Sequence, residues 1–139
     1  YCSAYIYWYL KRFYGLMGDT DKRSPTSEGE ITKNGYIMAH YAQYATETTR
    51  IKAVTSNEDV CATAYLDEKT GEVTIVLLNL NGASQWLEIP LAGIKKASAV
   101  ETNETKNMEV IGTGLMESAE GITVLLSANS IFSVRLIFK

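Results

Sequence analysis

Apolar positions are distributed in two different ways along this chain. Near the start they form one unbroken run, AYIYWYL, rich in aromatic and β-branched residues. A short run of this kind predicts a strand buried on both faces, as in a parallel sheet. A polar stretch follows, GDTDKRSPTSEGE at 18–30, with Pro25 and two glycines, and reads as a loop. In ITKNGYIMAHYAQYATETTR, Ile37, Met38, Tyr41 and Ala45 recur at helical spacing behind Thr32, a suitable N-cap. This predicts a helix over Lys33–Ala45 with that side turned from water. Gly35 falls in its first turn, where it is tolerable. Residues 1–47 thus read as one strand–loop–helix unit.

From Arg50 onward the period changes to two. Short runs alternate with turn signals: RIKAVT, VCATAYL, EVTIVLLNL, SQWLEIP, KASAVET, MEVI, GITVLLS and SIFSVRLIF. DEKTGE and NLNGAS predict hairpin turns around Gly71 and Gly82. In the last run Phe132, Val134, Leu136 and Phe138 point one way, with Ser133 and Arg135 on the other side, the signature of a half-buried antiparallel strand. EVTIVLLNL is apolar on both faces and belongs in the middle of a sheet. Roughly eight such strands predict an antiparallel β-sandwich over 48–139.

Composition narrows the partners. The chain has 139 residues, 46% hydrophobic and 21% charged, with net charge −3. It has no basic block for phosphate backbones, which argues against nucleic acid. Its longest apolar run, TIVLLNL, is strand-sized, which argues against a membrane span. Cys2 and Cys61 fit no metal spacing and no CxxC motif; two unpaired, buried thiols are expected, with pairing left open. His40 is the single histidine. A metal site or a Ser-His-Asp triad has little to stand on, and His40 is expected to be a polar position on the helix. The chain does not start with Met and carries no signal-peptide pattern, so its natural N-terminus is expected upstream.

YIYWYLKRFYGLM followed by GEITKNGYIMAHYAQY resembles the end of the bacterial glucuronoxylan xylanases of glycoside hydrolase family 30. There W-Y-x-x-R-x-Y-G ends the eighth strand of a (β/α)8 barrel. A T-K-x-G-Y-x-M-x-x-Y/F helix closes the barrel, and a side β-sandwich follows. The resemblance implies a mainly β chain: an antiparallel β-sandwich side domain preceded by the final β/α unit of a (β/α)8 barrel. The specific motifs lie in the first 45 residues; the sandwich matches in strand pattern only. The two catalytic glutamates of the family lie on earlier strands. Glu28, Glu30 and Glu47 match neither, so no catalytic and no metal-ligating residue is assigned, and no cofactor is implied.

What the resemblance does supply is a substrate-binding set. It places recognition of the glucuronic acid branch of xylan on Trp8, Arg12 and Tyr14. The chemistry is suitable: a guanidinium fork meets a carboxylate, a Trp face meets the C–H face of a sugar, and a phenol adds a directed donor. Shared parity puts all three on one face of an extended backbone. Tyr5, Tyr7 and Tyr9 on the alternate face read as packing. The implied role is the C-terminal portion of a secreted retaining endo-xylanase, with glucuronoxylan and the rest of the parent barrel as partners. One edge of the sandwich is expected open, because in this family it also takes strand material from the N-terminal region. Two alternatives remain. One is a non-catalytic carbohydrate-binding or bracing sandwich, with Trp86 and Tyr65 as candidate sugar-binding aromatics. The other, within the family, is a glucosylceramidase or β-1,6-glucanase, which would offer Arg12 no counter-ion.

Overall fold

The computed structural model describes residues 4–139. It divides into two compact units, residues up to Ala39 and His40–Lys139. Cys2 lies outside the described residues.

In the first unit, the run at 4–10 is not a strand. Ile6 is 90% exposed and Tyr5, Trp8 and Leu10 are exposed as well. The reason is physical: a strand is defined by its ladder partners, and the described residues offer this run none. The backbone also leaves the extended region at Tyr9, whose φ is 66°, a left-handed conformation uncommon for a non-glycine residue. Met17 bridges to both Lys11 and Ile31. The polar loop closes there at a neck: Gly18 N–H donates to the Glu30 carbonyl (2.8 Å), and Gly29 N–H to the Gly18 carbonyl (3.0 Å).

Helix α1 spans Lys33–Tyr44, within a residue of the predicted range. Thr32 caps it as expected. Its hydroxyl accepts from Gly35 N–H (3.2 Å) and donates to the Gly15 carbonyl (2.7 Å). Gly35 is needed rather than merely tolerated, because a Cβ there would lie 2.4 Å from the Leu16 carbonyl oxygen. Thr32→Ala removes both bonds and is expected to cost about 1–2 kcal/mol. The measurement is hydrogen exchange at Gly35 and Tyr36; unchanged protection there would rule out the capping role. The predicted apolar side is only partly realised. Met38, Tyr41 and Ala45 are half-buried, Ile37 is 40% exposed, and the buried helix residue is His40.

The second unit is a sandwich of two antiparallel sheets. Its strands are β1 (Thr49–Ile51), β2 (Val60–Leu66), β3 (Val73–Asn79), β4 (Gln85–Ile89), β5 (Ile94–Thr102), β6 (Glu109–Val110), β7 (Leu115–Glu117), β8 (Ile122–Leu126) and β9 (Ser130–Phe138). One sheet has the order β1-β2-β3-β9-β5-β6, the other β4-β8-β7. The interior is filled by Val60 and Ala64 of β2, Ile75 and Leu77 of β3, Ala99 of β5, Ile122, Val124 and Leu126 of β8, and Phe132, Val134 and Leu136 of β9. Each large side chain buried there contributes about 1.5–3 kcal/mol.

Most of the predicted strands form where the alternation lies, and β3 is internal as expected. Three details differ. The short strand β7 carries no alternation and was not predicted. NLNGAS is not a hairpin but a crossing from one sheet to the other. Buried Asn79 directs that crossing: its amide donates to the carbonyls of Ala83 (2.9 Å) and Ser127 (2.8 Å), and its oxygen accepts from Asn81 N–H (3.0 Å). Finally, Cys61 is a free thiol but an exposed one. It shares the outward face of β2 with Thr63 and Tyr65, while Val60 and Ala64 turn inward.

The DEKTGE turn does join β2 to β3 as a hairpin. Gly71, at φ 73°, supplies the left-handed residue, and Asp67 accepts Lys69 N–H at 2.8 Å. The outward face of the larger sheet is not wholly solvated, since His40 caps Ser133 and Thr102. Its Nδ1 lies 2.8 Å from Ser133 Oγ and its Nε2 2.9 Å from Thr102 Oγ1. His40 is thus a polar position on the helix, as expected, and a fully buried one.

Candidate functional site

Within the first unit, Tyr9 is the hub around which Trp8, Arg12 and Tyr14 gather. The Trp8 ring meets it edge-on at 4.7 Å between centroids, and Tyr14 at 6.4 Å. The Arg12 guanidinium stands over its face at 5.0 Å, a cation–π arrangement. The three residues are thus brought together by a turn around Tyr9, not by parity on an extended strand. Trp8 is 71% exposed and Tyr14 38%. Tyr14 is held from behind: its carbonyl accepts from the Tyr7 hydroxyl at 2.8 Å, and that hydroxyl accepts in turn from Asn34 at 3.3 Å. Tyr7 thereby supports the cluster from behind.

The charges around the cluster are unevenly committed. Arg23 grips Asp21 through two bonds, 2.9 and 2.7 Å, and lies over the Phe13 ring at 3.8 Å. These bonds hold the Asp21 carboxyl far below the usual carboxylate range, with a smaller contribution from Arg12. Lys11 pairs with Glu28 at 2.5 Å. Arg12 has no ion-pair partner among the described residues. An exposed guanidinium on an aromatic platform, with no ion pair among the described residues, suits an incoming carboxylate.

The aromatic residues considered for a sandwich sugar site do not form a row. Trp86 lies on β4, 54% exposed, whereas Tyr65 lies on β2 of the other sheet, half-buried and edge-on to Tyr41 at 6.4 Å. Among the described residues there is no group of three or more His, Cys, Asp or Glu side chains able to hold a metal ion. No helix of the described residues is long and apolar enough to cross a membrane.

The fold is that of part of the glycoside hydrolase family 30 xylanases. It superposes on the family 30 subfamily 8 xylanase Xyn30A of Clostridium acetobutylicum with a TM-score of 0.72 at 19% identity, over 88% of this chain and 30% of that one. A GH30 endoxylanase from Clostridium papyrosolvens C71 gives 0.68 at 21% identity, over 77% and 28%. In sequence, the chain is homologous to a part of glucuronoxylanase XynC of Bacillus subtilis, 30% identical over 133 residues. That alignment covers 93% of this chain and 29% of the relative, so the chain spans less than a third of its length. No family model matches the sequence.

Proposed function

We propose that this chain is the C-terminal portion of a family 30 endo-xylanase that cuts glucuronoxylan, and that it supplies recognition of the glucuronate branch through Trp8, Arg12 and Tyr14. The observation carrying the proposal is the homology to glucuronoxylanase XynC across 93% of the chain. Arg12, which has no ion pair among the described residues, lies beside exposed rings and is compatible chemistry. Bond cleavage would follow the retaining route, in which one carboxylate forms a glycosyl-enzyme and another acts as acid and then base. Both would be contributed by residues outside this segment. The sandwich braces the barrel. Secretion is part of the same proposal, because a polymeric wall polysaccharide must be attacked outside the cell.

The test has two arms. The 139-residue chain alone is expected to release no reducing ends from glucuronoxylan. The enzyme that contains it is expected to yield xylo-oligosaccharides that each carry a glucuronate, as read by mass spectrometry. Hydrolysis by the chain alone, abolished by a substitution within it, would refute the division of labour. Equal cutting of branched and unbranched xylan by the whole enzyme would refute the branch-recognition role.

A further inference from the structure

A pocket of about 210 Å³ opens within the second unit, where the end of α1 meets the outward face of the larger sheet. Its wall includes Tyr44 of α1, Tyr65 of β2, Asp67 and Glu72 of the β2–β3 turn, Thr74 of β3, and Arg135 of β9. Every lining residue is polar or carries a hydroxyl. Glu72 and Arg135 are paired across the sheet, but both bonds, from Nε and from one terminal nitrogen of Arg135, go to Glu72 Oε2. Among the described residues, no hydrogen bond engages Glu72 Oε1 or the other guanidinium nitrogen, which leaves both to a ligand. Asp67 is held ionised chiefly by the backbone N–H of Lys69, so its carboxyl lies below the ordinary range. The Tyr65 ring is fixed edge-on against Tyr41.

We propose that this pocket is a binding site for a single neutral pyranose. Four properties of the wall select that class. Carboxylate acceptors, guanidinium donors and hydroxyls that serve as either match a ligand whose every hydroxyl both donates and accepts. The tyrosine rings offer flat surfaces to the C–H face of a sugar. Two carboxylates against one guanidinium leave the wall net negative, which disfavours a uronate. An apolar ligand would bury these groups without partners. Sites that enclose drug-sized molecules occupy about 300–1,000 Å³, so the smaller volume here suits one ring. The inference stands on this pocket alone. It concerns different residues and the opposite ligand charge from the Arg12 site, so either reading can fail without the other.

The test is an NMR titration of the 139-residue chain with D-xylose, D-glucose, D-glucosamine and D-glucuronate. The expected result is saturable shifts for D-xylose or D-glucose at the amides of residues 65–74 and 135, with Kd on the order of a millimolar. Glucuronate is expected to bind roughly tenfold more weakly or not at all, the cost of facing an unpaired carboxylate. Tyr65→Phe keeps the ring against Tyr41, and Glu72→Gln keeps the shape of the wall. Each is expected to weaken the neutral sugar roughly tenfold, as for one lost strong hydrogen bond. Tyr65→Phe leaves the Glu72–Arg135 pair intact and so decides the matter should Glu72→Gln fail to fold. No saturable shift with either neutral sugar, unchanged affinity in Tyr65→Phe, or shifts with glucosamine alone, a general cation response, would each overturn the proposal.

Discussion

Arg12→Ala in the enzyme that contains this segment is expected to lower kcat/KM on glucuronate-bearing xylan by about ten- to a hundredfold, the equivalent of one charge-assisted contact of about 1.5–3 kcal/mol. The cost to folding should be small. Arg12 is exposed, without an ion pair among the described residues, and its observed side-chain contact is the face of Tyr9. Arg12→Lys should recover only part of the loss, since an ammonium cannot form the planar two-pronged contact. Kinetics on two substrates provide the check. A large fall on branched xylan with little change on unbranched xylo-oligosaccharides is the expected outcome. Equal falls on both would assign Arg12 to the backbone of the cluster and remove the branch-recognition reading.

The second large effect is on stability against pH. His40 is fully buried, and desolvation lowers its pKa from 6.5 to about 4. Between those values the unfolded chain binds a proton at this position and the folded chain does not. Stability therefore rises with pH across the window. The contribution is complete above about pH 6.5, falls as the pH drops, and is lost by about pH 4. Its full size is roughly 3 kcal/mol at about 1.4 kcal/mol per pKa unit. His40→Gln keeps a polar group near Ser133 and Thr102 but cannot titrate. Urea unfolding at pH 7, 5.5 and 4 should give a steeper decline for the parent than for His40→Gln. Parallel curves would show that His40 does not remain neutral in the folded chain.

These two residues also mark the boundary of what the amino-acid order made legible. The sandwich strands could be read because one face of each is buried, and burial with a period of two writes itself into the sequence, as in Phe132, Val134 and Leu136. Nothing of that kind marks β7, with two of its three residues exposed. The sheet crossing after β3 was not legible either, since it turns on a side-chain amide meeting carbonyls at Ala83 and Ser127. The run around Trp8 reads as a strand by composition, but ladder pairing is not a local property, and Tyr9 takes a left-handed turn instead. The Trp8, Arg12 and Tyr14 motif could be named from resemblance, while its arrangement around Tyr9 could not. His40 gave no sign of burial, because its two partners lie 62 and 93 residues further along. The pocket beside Arg135 is assembled from one helix end, a turn and three strands, so no single stretch announces it.

The position of β9 bears on the order in which the sandwich can be made. It lies between β3 and β5 in the larger sheet, yet it follows every other strand in the sequence. As the chain leaves the ribosome, β2 and β3 can close their hairpin early, but the sheet has a gap at its centre until residues 130–138 emerge. Until then the facing edges of β3 and β5 are unpaired templates for any other extended chain nearby. Closing the gap demands contacts between residues far apart in sequence, which makes the step slow. The sandwich is thus committed to folding after synthesis of its last strand, and the interval before β9 arrives is its point of greatest exposure to aggregation.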